Sequence, residues 1–458
     1  MKVILKQNWN STVSGSYKIY TIGIDTEKVL SNITNLPQWV STVTSRFAVI
    51  VLDNDEITFA AVDHLSNYPL YYSDTFITDN WFYVDSNRLE FTENKVVSKE
   101  TWLLAGQNLS ADTCFNEVKR IMPNHYLKQQ KQYQYRWMNR LPYAKDNIRD
   151  FIVNKFLELE QTDNTLMFSG GVDSVFLMNL VVKYGTKNWR FIHMHSDSDF
   201  HNETAAVEYF EKFYNVKVEK YNIDNTHLLT SSQIDKINYL EKQTNFPNYW
   251  YHDELYGKFI MFEMASVKNE LIWTGEVADQ LFGNPKINAL VPTWLQTKNS
   301  DAIADLWIDT TRSLVKSWIS DVNKNHVIKQ KLNDQSDGIY WQTAYDNIKR
   351  DLIRILEEGN IEDIVVRFTN YNYLIKGQLR VWPYSQLPMY NFCNLFTHYE
   401  LAPMVFSLSS NELAPNSLFK GYLYNLFPND LPIYAWELPK TGPTQKIKRL
   451  YDEFISKF

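Results

Sequence analysis

The hexapeptide Ser169-Gly170-Gly171-Val172-Asp173-Ser174 stands directly between an apolar run, Thr165–Phe168, and an apolar helical pattern, Asp173–Lys183. The same rhythm continues with a strand pattern at Trp189–His195, a helix at Asn202–Tyr214, a strand at Val216–Ile223 and a further strand at Leu271–Thr274. Strands and helices alternating at this length predict an α/β fold with a parallel sheet and helices on both faces. At a strand-to-helix turn, free backbone N–H groups and the positive helix end converge on one point, which suits a phosphate. Gly170 and Gly171 let the backbone approach that phosphate closely, and Ser169 and Ser174 add hydroxyl donors. Asp173 is the unexpected member, because a carboxylate beside phosphates repels them. It therefore implies Mg²⁺ bridging the carboxylate and a pyrophosphate group. The loop lacks the Gly-Lys-Ser/Thr ending of a Walker A sequence.

Upstream the pattern differs. Arg46–Leu52, Ile57–Val62 and Trp81–Val84 read as strands separated by Asp/Asn/Ser turns, and Lys99–Gly106 as a helix ending at a glycine. The polar stretch Arg136–Asp146, with Pro142 inside it, marks a boundary. We therefore divide the chain into a β-rich domain over 1–140 and a second domain over 146–458 that turns mainly helical beyond Asp301; its 458 residues suffice for two cores. A net charge of −7 with mixed signs argues against a nucleic-acid scaffold. No apolar run approaches the roughly 20 residues that span a bilayer. Met1–Lys6 has no signal-peptide core, and only two cysteines, Cys114 and Cys393, are present. These features predict a cytoplasmic protein without a disulfide framework or a Cys-rich zinc site.

The Ser169–Ser174 hexapeptide resembles the PP-loop of the ATP pyrophosphatases, enzymes that cleave ATP to AMP and pyrophosphate. A second segment, Thr274-Gly275-Glu276-Val277-Ala278-Asp279-Gln280-Leu281-Phe282-Gly283, resembles the GExxDExFG signature of the asparagine synthetase family, with Gln280 in place of a glutamate. Near the C-terminus, Leu438-Pro439-Lys440-Thr441-Gly442 is similar to the family's RPKxG stretch, and Pro388-Met389-Tyr390-Asn391 to its PFLD, with Asn391 for the aspartate. The resemblance implies an adenine nucleotide alpha hydrolase-like domain that binds ATP and Mg²⁺. Asp173 and Asp279 would be the metal-associated carboxylates. Ser169, Gly170, Gly171, Asp173, Ser174, Thr274 and Gly275 would surround the nucleotide, with Lys420 near the pyrophosphate. Lys440 would contact the α-phosphate and the tetrahedral intermediate, and Glu276 would face the acyl-adenylate, positioning or deprotonating the attacking amine. Glu203 fits the family's acidic residue at the start of the next helix. His193 and His195 read as edge residues beside the nucleotide in preference to zinc ligands. The aromatic run Asn248–Tyr256 reads as pocket lining or packing.

The first domain is partly similar to the family's N-terminal-nucleophile (Ntn) glutaminase domain. Phe47–Asp53 resembles its FAFALYD strand, Asp63–Tyr72 its RDxxGxxPLYY turn with Ser66 replacing the glycine, and Thr113–Leu127 the strand and turn that close the domain. Residue 2 is a lysine where the family has its cysteine nucleophile, and the RHRGPD and NGEIYN segments have no counterpart, so the resemblance implies a degenerate domain without glutaminase activity. Members of this kind include β-lactam synthetases, carbapenam synthetase and lasso-peptide cyclases. The expectation is an ATP-dependent, amide-forming ligase acting on a small-molecule or peptide substrate with a carboxylate and an amine acceptor. Ammonia-dependent asparagine synthesis and a non-catalytic nucleotide-binding homologue stand as alternatives. A PP-loop RNA-modifying enzyme would need a cysteine pair or a basic face, and neither is visible. Oligomeric state has no signature in the sequence.

Overall fold

The computed structural model describes residues 2–6, 8–103, 110–134, 145–197, 203–243, 249–278, 281, 296–297, 299–306, 308, 338–357, 390–398 and 400–406. Contacts divide the chain into two compact units, one of Met1–Arg140, Gln243–His252 and Pro285–Gln386, the other of Leu141–Lys242, Asp253–Asn284 and Leu387–Phe458. The protein is mixed α/β, with a β-rich N-terminal region and a separate five-stranded parallel sheet. Among the described residues no helix is long and apolar enough to cross a membrane.

In the first unit the apolar run around Ile50 forms β4 (Ala48–Asp53), antiparallel to β3 (Tyr17–Ile22) and β5 (Glu56–Val62). Ala48 to Leu52 are all buried, as expected of a continuous apolar strand covered on both faces. Two short helices, α1 (Thr26–Ser31) and α2 (Leu36–Val40), connect β3 to β4. With β2 (Asn10–Ser14), β9 (His125–Lys128) and β10 (Lys131–Gln134) these strands make a six-stranded sheet. A smaller sheet holds β1 (Lys2–Ile4), β7 (Phe76–Thr78), β6 (Tyr71–Tyr72) and β8 (Lys119–Arg120), in that order. The two sheets share a core in which Ala48, Ile50 and Leu52, alternate residues of one strand, meet Tyr72 and Ile77.

The stretch read as a turn at Asp63–Tyr72 is organised by the buried Asp63 carboxylate. It accepts from the backbone N–H of Phe47, Leu65 and Asn67 and from Asn67 Nδ2 at 2.9 to 3.3 Å. Ser66 adopts a left-handed backbone with φ of 51°. Its hydroxyl is buried with no hydrogen-bond partner among the described residues. Replacing Ser66 with glycine removes both the left-handed penalty and an unsatisfied hydroxyl. We expect Ser66→Gly to stabilise the protein by about 1 kcal/mol, net of glycine's entropic cost. A urea midpoint that stays put or falls would show that the turn is unstrained.

Trp81–Val84, expected as a strand, belongs instead to a helix, α3 (Trp81–Ser86). A run of four aromatic and β-branched residues is too short for its period to decide between strand and helix. Here tertiary burial decides: Trp81 and Val84, one helical turn apart, enter an aromatic core with Tyr71, Phe76 and Val118. Cys114 packs against the same cluster, and burial pushes its thiol up to about 12. The helix predicted from Lys99 starts earlier, as α4 (Lys95–Leu103), and its expected end at Gly106 lies outside the described residues.

Helix α10 (Gly338–Glu357), numbered in chain order, belongs to this first unit although it lies far beyond residue 140. It packs on α4, with Lys95 Nζ 5.2 Å from the Tyr340 ring centroid and Asn347 Nδ2 donating to Glu100 Oε1 at 3.0 Å. Burial pushes the Glu100 carboxyl from its ordinary 4.5 up to about 7, with Asp351 and Asp112 adding to the rise while Asn347 and Arg350 oppose it. A folded-state pKa above the unfolded one means that the protonated acid favours the fold, so this contribution is lost as pH climbs from about 4.5 to 7. Glu100→Gln should therefore raise the melting temperature at pH 8, by an equivalent of about 1–3 kcal/mol, and leave it unchanged near pH 4.5. Equal shifts at both pH values would refute this account.

The second unit carries the predicted alternation. After α5 (Lys145–Leu159) come β11 (Asp163–Met167), α6 (Val172–Tyr184), β12 (Asn188–His195), α7 (Glu203–Tyr214), β13 (Val218–Asn222), α8 (Ser231–Gln243), α9 (Tyr249–Met264), β14 (Leu271–Trp273), β15 (Asn391–Cys393) and α11 (Leu401–Phe406). All four strand pairings are parallel, in the order β13-β12-β11-β14-β15. The sheet thus grows outward from β11 in one direction and then, from β14, in the other. Trp273, fully buried in β14, packs on Phe156 and Trp189 with ring centroids 5.3 Å away, and donates its indole N–H to Asn164 Oδ1 at 3.0 Å. These contacts lock β14 beside β11 and so fix the spacing of the loops that follow the two strands.

Candidate functional site

A parallel sheet whose strand order reverses opens a crevice at the carboxyl ends of the two strands flanking the reversal. In this sheet those strands are β11 and β14. The loop after β11 is Phe168–Gly171, and the loop after β14 begins at Thr274. Between them lies a cleft of about 320 Å³, lined by Ser169, Asp173 and Ser174 from one side and Thr274, Gly275 and Glu276 from the other. With His193 and Glu203, eight of the residues singled out in the sequence thus share one cavity within one unit.

The first loop is held by its own hydroxyls. Ser174 Oγ donates to the Gly171 carbonyl at 2.9 Å and accepts from the Ser169 N–H at 3.3 Å, while the Gly171 N–H donates to Ser169 Oγ at 3.2 Å. Ser174, 5% exposed, therefore ties the loop together, and of the two serines Ser169 is the one better placed to offer a proton outward. Gly170 has φ of 74°, and a Cβ there would stand 2.8 Å from Ala206 Cβ on α7, so only glycine fits. The N-terminus of α6 has no side-chain cap, and Asp173 sits in its first turn. An uncapped helix end beside two glycines is an arrangement that accepts an anion.

The second loop is pressed against the first. A Cβ on Gly275 would lie 2.8 Å from Asp173 Cβ and 3.2 Å from the Ser174 nitrogen. Glu276 follows, its N–H donating to Thr274 Oγ1 at 3.3 Å and its carbonyl accepting from Asn394 Nδ2 at 2.6 Å. Val277 then turns the chain through φ of 76°, an uncommon conformation for a β-branched residue. It is held there by complete burial. The Glu276 carboxylate meets Lys258 Nζ of α9 at 2.9 Å, and both side chains line the cleft.

The cleft's third wall comes from β12 and α7. His193 is buried, with Nδ1 3.0 Å from the Phe168 carbonyl and Nε2 3.3 Å from Thr204 Oγ1. Both ring nitrogens thus tie β11 to the start of α7. The His195 ring stacks on His193 at 5.9 Å. Glu203 opens α7 and lines the cleft. Asn391 is the exposed first residue of β15, at the edge opposite the cleft, and Asn394, just past the carboxyl end of that strand, is the residue that reaches the Glu276 loop. Of the run Asn248–Tyr256, Tyr249 to Tyr256 form the first turns of α9, and Asn248 lies outside the described residues. Asp279, Lys420 and Lys440 lie outside the described residues.

Lys258 and Asn394 were not legible as site residues from motif reading. Lys258 did leave a trace, as a lone cation immediately before Phe259-Ile260-Met261-Phe262, since a lysine in a buried helix demands a partner. No protein-family model matches the chain, and no curated protein matches it either.

Proposed function

We propose that the protein is an ATP-dependent, amide-forming ligase that adenylates a substrate carboxylate and couples it to an amine. The observation that carries this reading is the meeting of the Ser169–Ser174 and Thr274–Glu276 loops at the reversal point of the parallel sheet, with Gly275 packed on Asp173. One loop is suited to phosphates and the other brings a carboxylate within the same cavity, so nucleotide and acyl acceptor chemistry share one space.

In this reading the substrate carboxylate attacks the α-phosphorus of ATP, the bond to the β-phosphate breaks, and pyrophosphate leaves. The amine nitrogen then attacks the acyl carbon, AMP departs with the bridging oxygen, and Glu276 orients the amine and receives its proton. Thr274 and Asn394 fix the Glu276 backbone, while Ser169, Gly170 and Gly171 hold the phosphate end and His193 keeps that loop in register with α7. Bound Mg²⁺ would neutralise the triphosphate charge. Asp173 offers the hard oxygen donor that such a cation takes, and Asp279 is proposed as the second. Lys440 and Lys420 are proposed, from the resemblance alone, to offset negative charge at the α-phosphate and pyrophosphate. Nitrogen comes from the substrate amine or free ammonia, since Cys114 is an inert packing thiol and Cys393 is buried in β15.

The test has two stages. Calorimetry with a non-hydrolysable ATP analogue and Mg²⁺ should show saturable binding. Isotope exchange between pyrophosphate and ATP, screened over amino-acid and peptide carboxylates, should then reveal a carboxylate-dependent signal with AMP as the nucleotide product. Absence of ATP binding, or ADP as product, would remove the proposal.

A further inference from the structure

Lys258 has no role in the nucleotide-handling scheme above, yet its ammonium reaches the cleft. It sits on α9 between Gly257 and the fully buried Phe259–Phe262 segment, and its side chain is 8% exposed. Removing an ammonium from water is costly unless an opposite charge meets it, and Glu276 supplies that charge at 2.9 Å. A buried pair of this kind adds little to stability compared with apolar side chains of the same size. The four residues that follow, Phe259 to Phe262, are apolar and buried. The placement of the pair at the wall of the cavity calls for another reason.

We infer that Lys258 is a positioning residue for the amine-transfer half of the reaction, holding the Glu276 carboxylate in the orientation that meets the incoming amine. This rests on the ligase reading above. The Glu276 backbone is held by Thr274 at its N–H and by Asn394 at its carbonyl, so the orientation of its carboxylate depends on what meets the side chain. Lys258, anchored in a helix, donates to Oε1 of that carboxylate and restricts its rotation. Loop, strand end and helix thus converge on Glu276, the first two on its backbone and Lys258 on its carboxylate. Charge supports the same assignment: Asp173, Glu203 and Glu276 all line the cleft, and Lys258 compensates the negative charge they bring to it.

The experiment compares Lys258→Met, Lys258→Arg, Glu276→Gln and the Lys258→Met/Glu276→Gln double variant in the full chain, with two readouts. Pyrophosphate–ATP exchange reports adenylation, and single-turnover amide formation reports amine transfer. Lys258→Met is expected to lower the amide-forming rate about 10- to 100-fold through misplacement of the carboxylate, while exchange falls far less and KM for ATP moves little. Lys258→Arg should recover part of the loss. Because Lys258 acts through Glu276, the double variant should be no slower than the worse single one. Losses that multiply in the double variant, or equal losses in both readouts with Lys258→Arg no better than Lys258→Met, would overturn the assignment. Wild-type protein that binds ATP but exchanges pyrophosphate with no carboxylate would overturn the ligase reading first, a result recognisable because it precedes any variant.

Discussion

Asp173→Asn is expected to lower carboxylate-dependent pyrophosphate release by at least ~10³-fold, since a metal-associated charge is worth several kcal/mol in the transition state. The substitution keeps the shape of a side chain in the first turn of α6, and the lost helix-end interaction amounts to about 0.3–1 kcal/mol, so the fold should persist with a melting shift of a few degrees. The sign of the effect on ATP binding is the sharper test. Without a divalent cation, a carboxylate beside a triphosphate repels it, by about 3 kcal/mol per charge pair at 5 Å and an effective dielectric near 20 before salt screening. In EDTA, Asp173→Asn should therefore bind ATP about tenfold more tightly than the unchanged protein. With Mg²⁺ the order should reverse, because the variant has lost a ligand for the cation that the phosphates share. Calorimetric titrations under both conditions decide the matter. Weaker binding in EDTA as well as in Mg²⁺ would mean that Asp173 contacts the nucleotide by hydrogen bonding, and undiminished turnover would remove it from the site.

How much of this was legible beforehand follows from the kinds of signal involved. The loop at Ser169–Ser174 announced itself because its glycine and serines meet local constraints: Gly170 is left-handed and in close contact with Ala206, and the two hydroxyls bond the turn's own backbone. Such constraints are local and appear in any single sequence. The strand alternation from Thr165 to Ile223 was equally local, and each predicted strand is present to within a few residues. Trp81–Val84 shows the limit. Its composition favours a strand, but its four residues carry no period, and the aromatic core shared with Tyr71 and Phe76 turned it helical. Lys258 and Asn394 show the other limit. Each acts through a partner far away in the chain, Lys258 through Glu276 and Asn394 through the Glu276 carbonyl, and no spacing rule reports such pairs.

Gly275→Ala carries the second large expected effect, and it tests the join between the loops instead of a charge. The added methyl would stand 2.8 Å from Asp173 Cβ, 3.1 Å from the Asp173 carbonyl carbon and 3.2 Å from the Ser174 nitrogen. Two of these three atoms are backbone of α6's first turn and cannot rotate aside, so either α6 or the loop after β14 must move by a few tenths of an ångström or more. β14 is held by Trp273 in its aromatic cluster and by the Thr274 N–H to the Cys393 carbonyl at 3.1 Å, while Glu276 is tied to Asn394. The strain therefore falls on the α6 turn and displaces Asp173. Overpacking of this kind costs about 1–3 kcal/mol of stability. A displacement approaching 1 Å at a reacting centre lowers turnover about 100-fold. Pyrophosphate release should thus fall by about two orders of magnitude in a variant that still folds and melts only a few degrees lower. A Gly275→Ala protein with unchanged turnover would mean that the two loops do not form one site, and the mechanism built on their contact would fail with it.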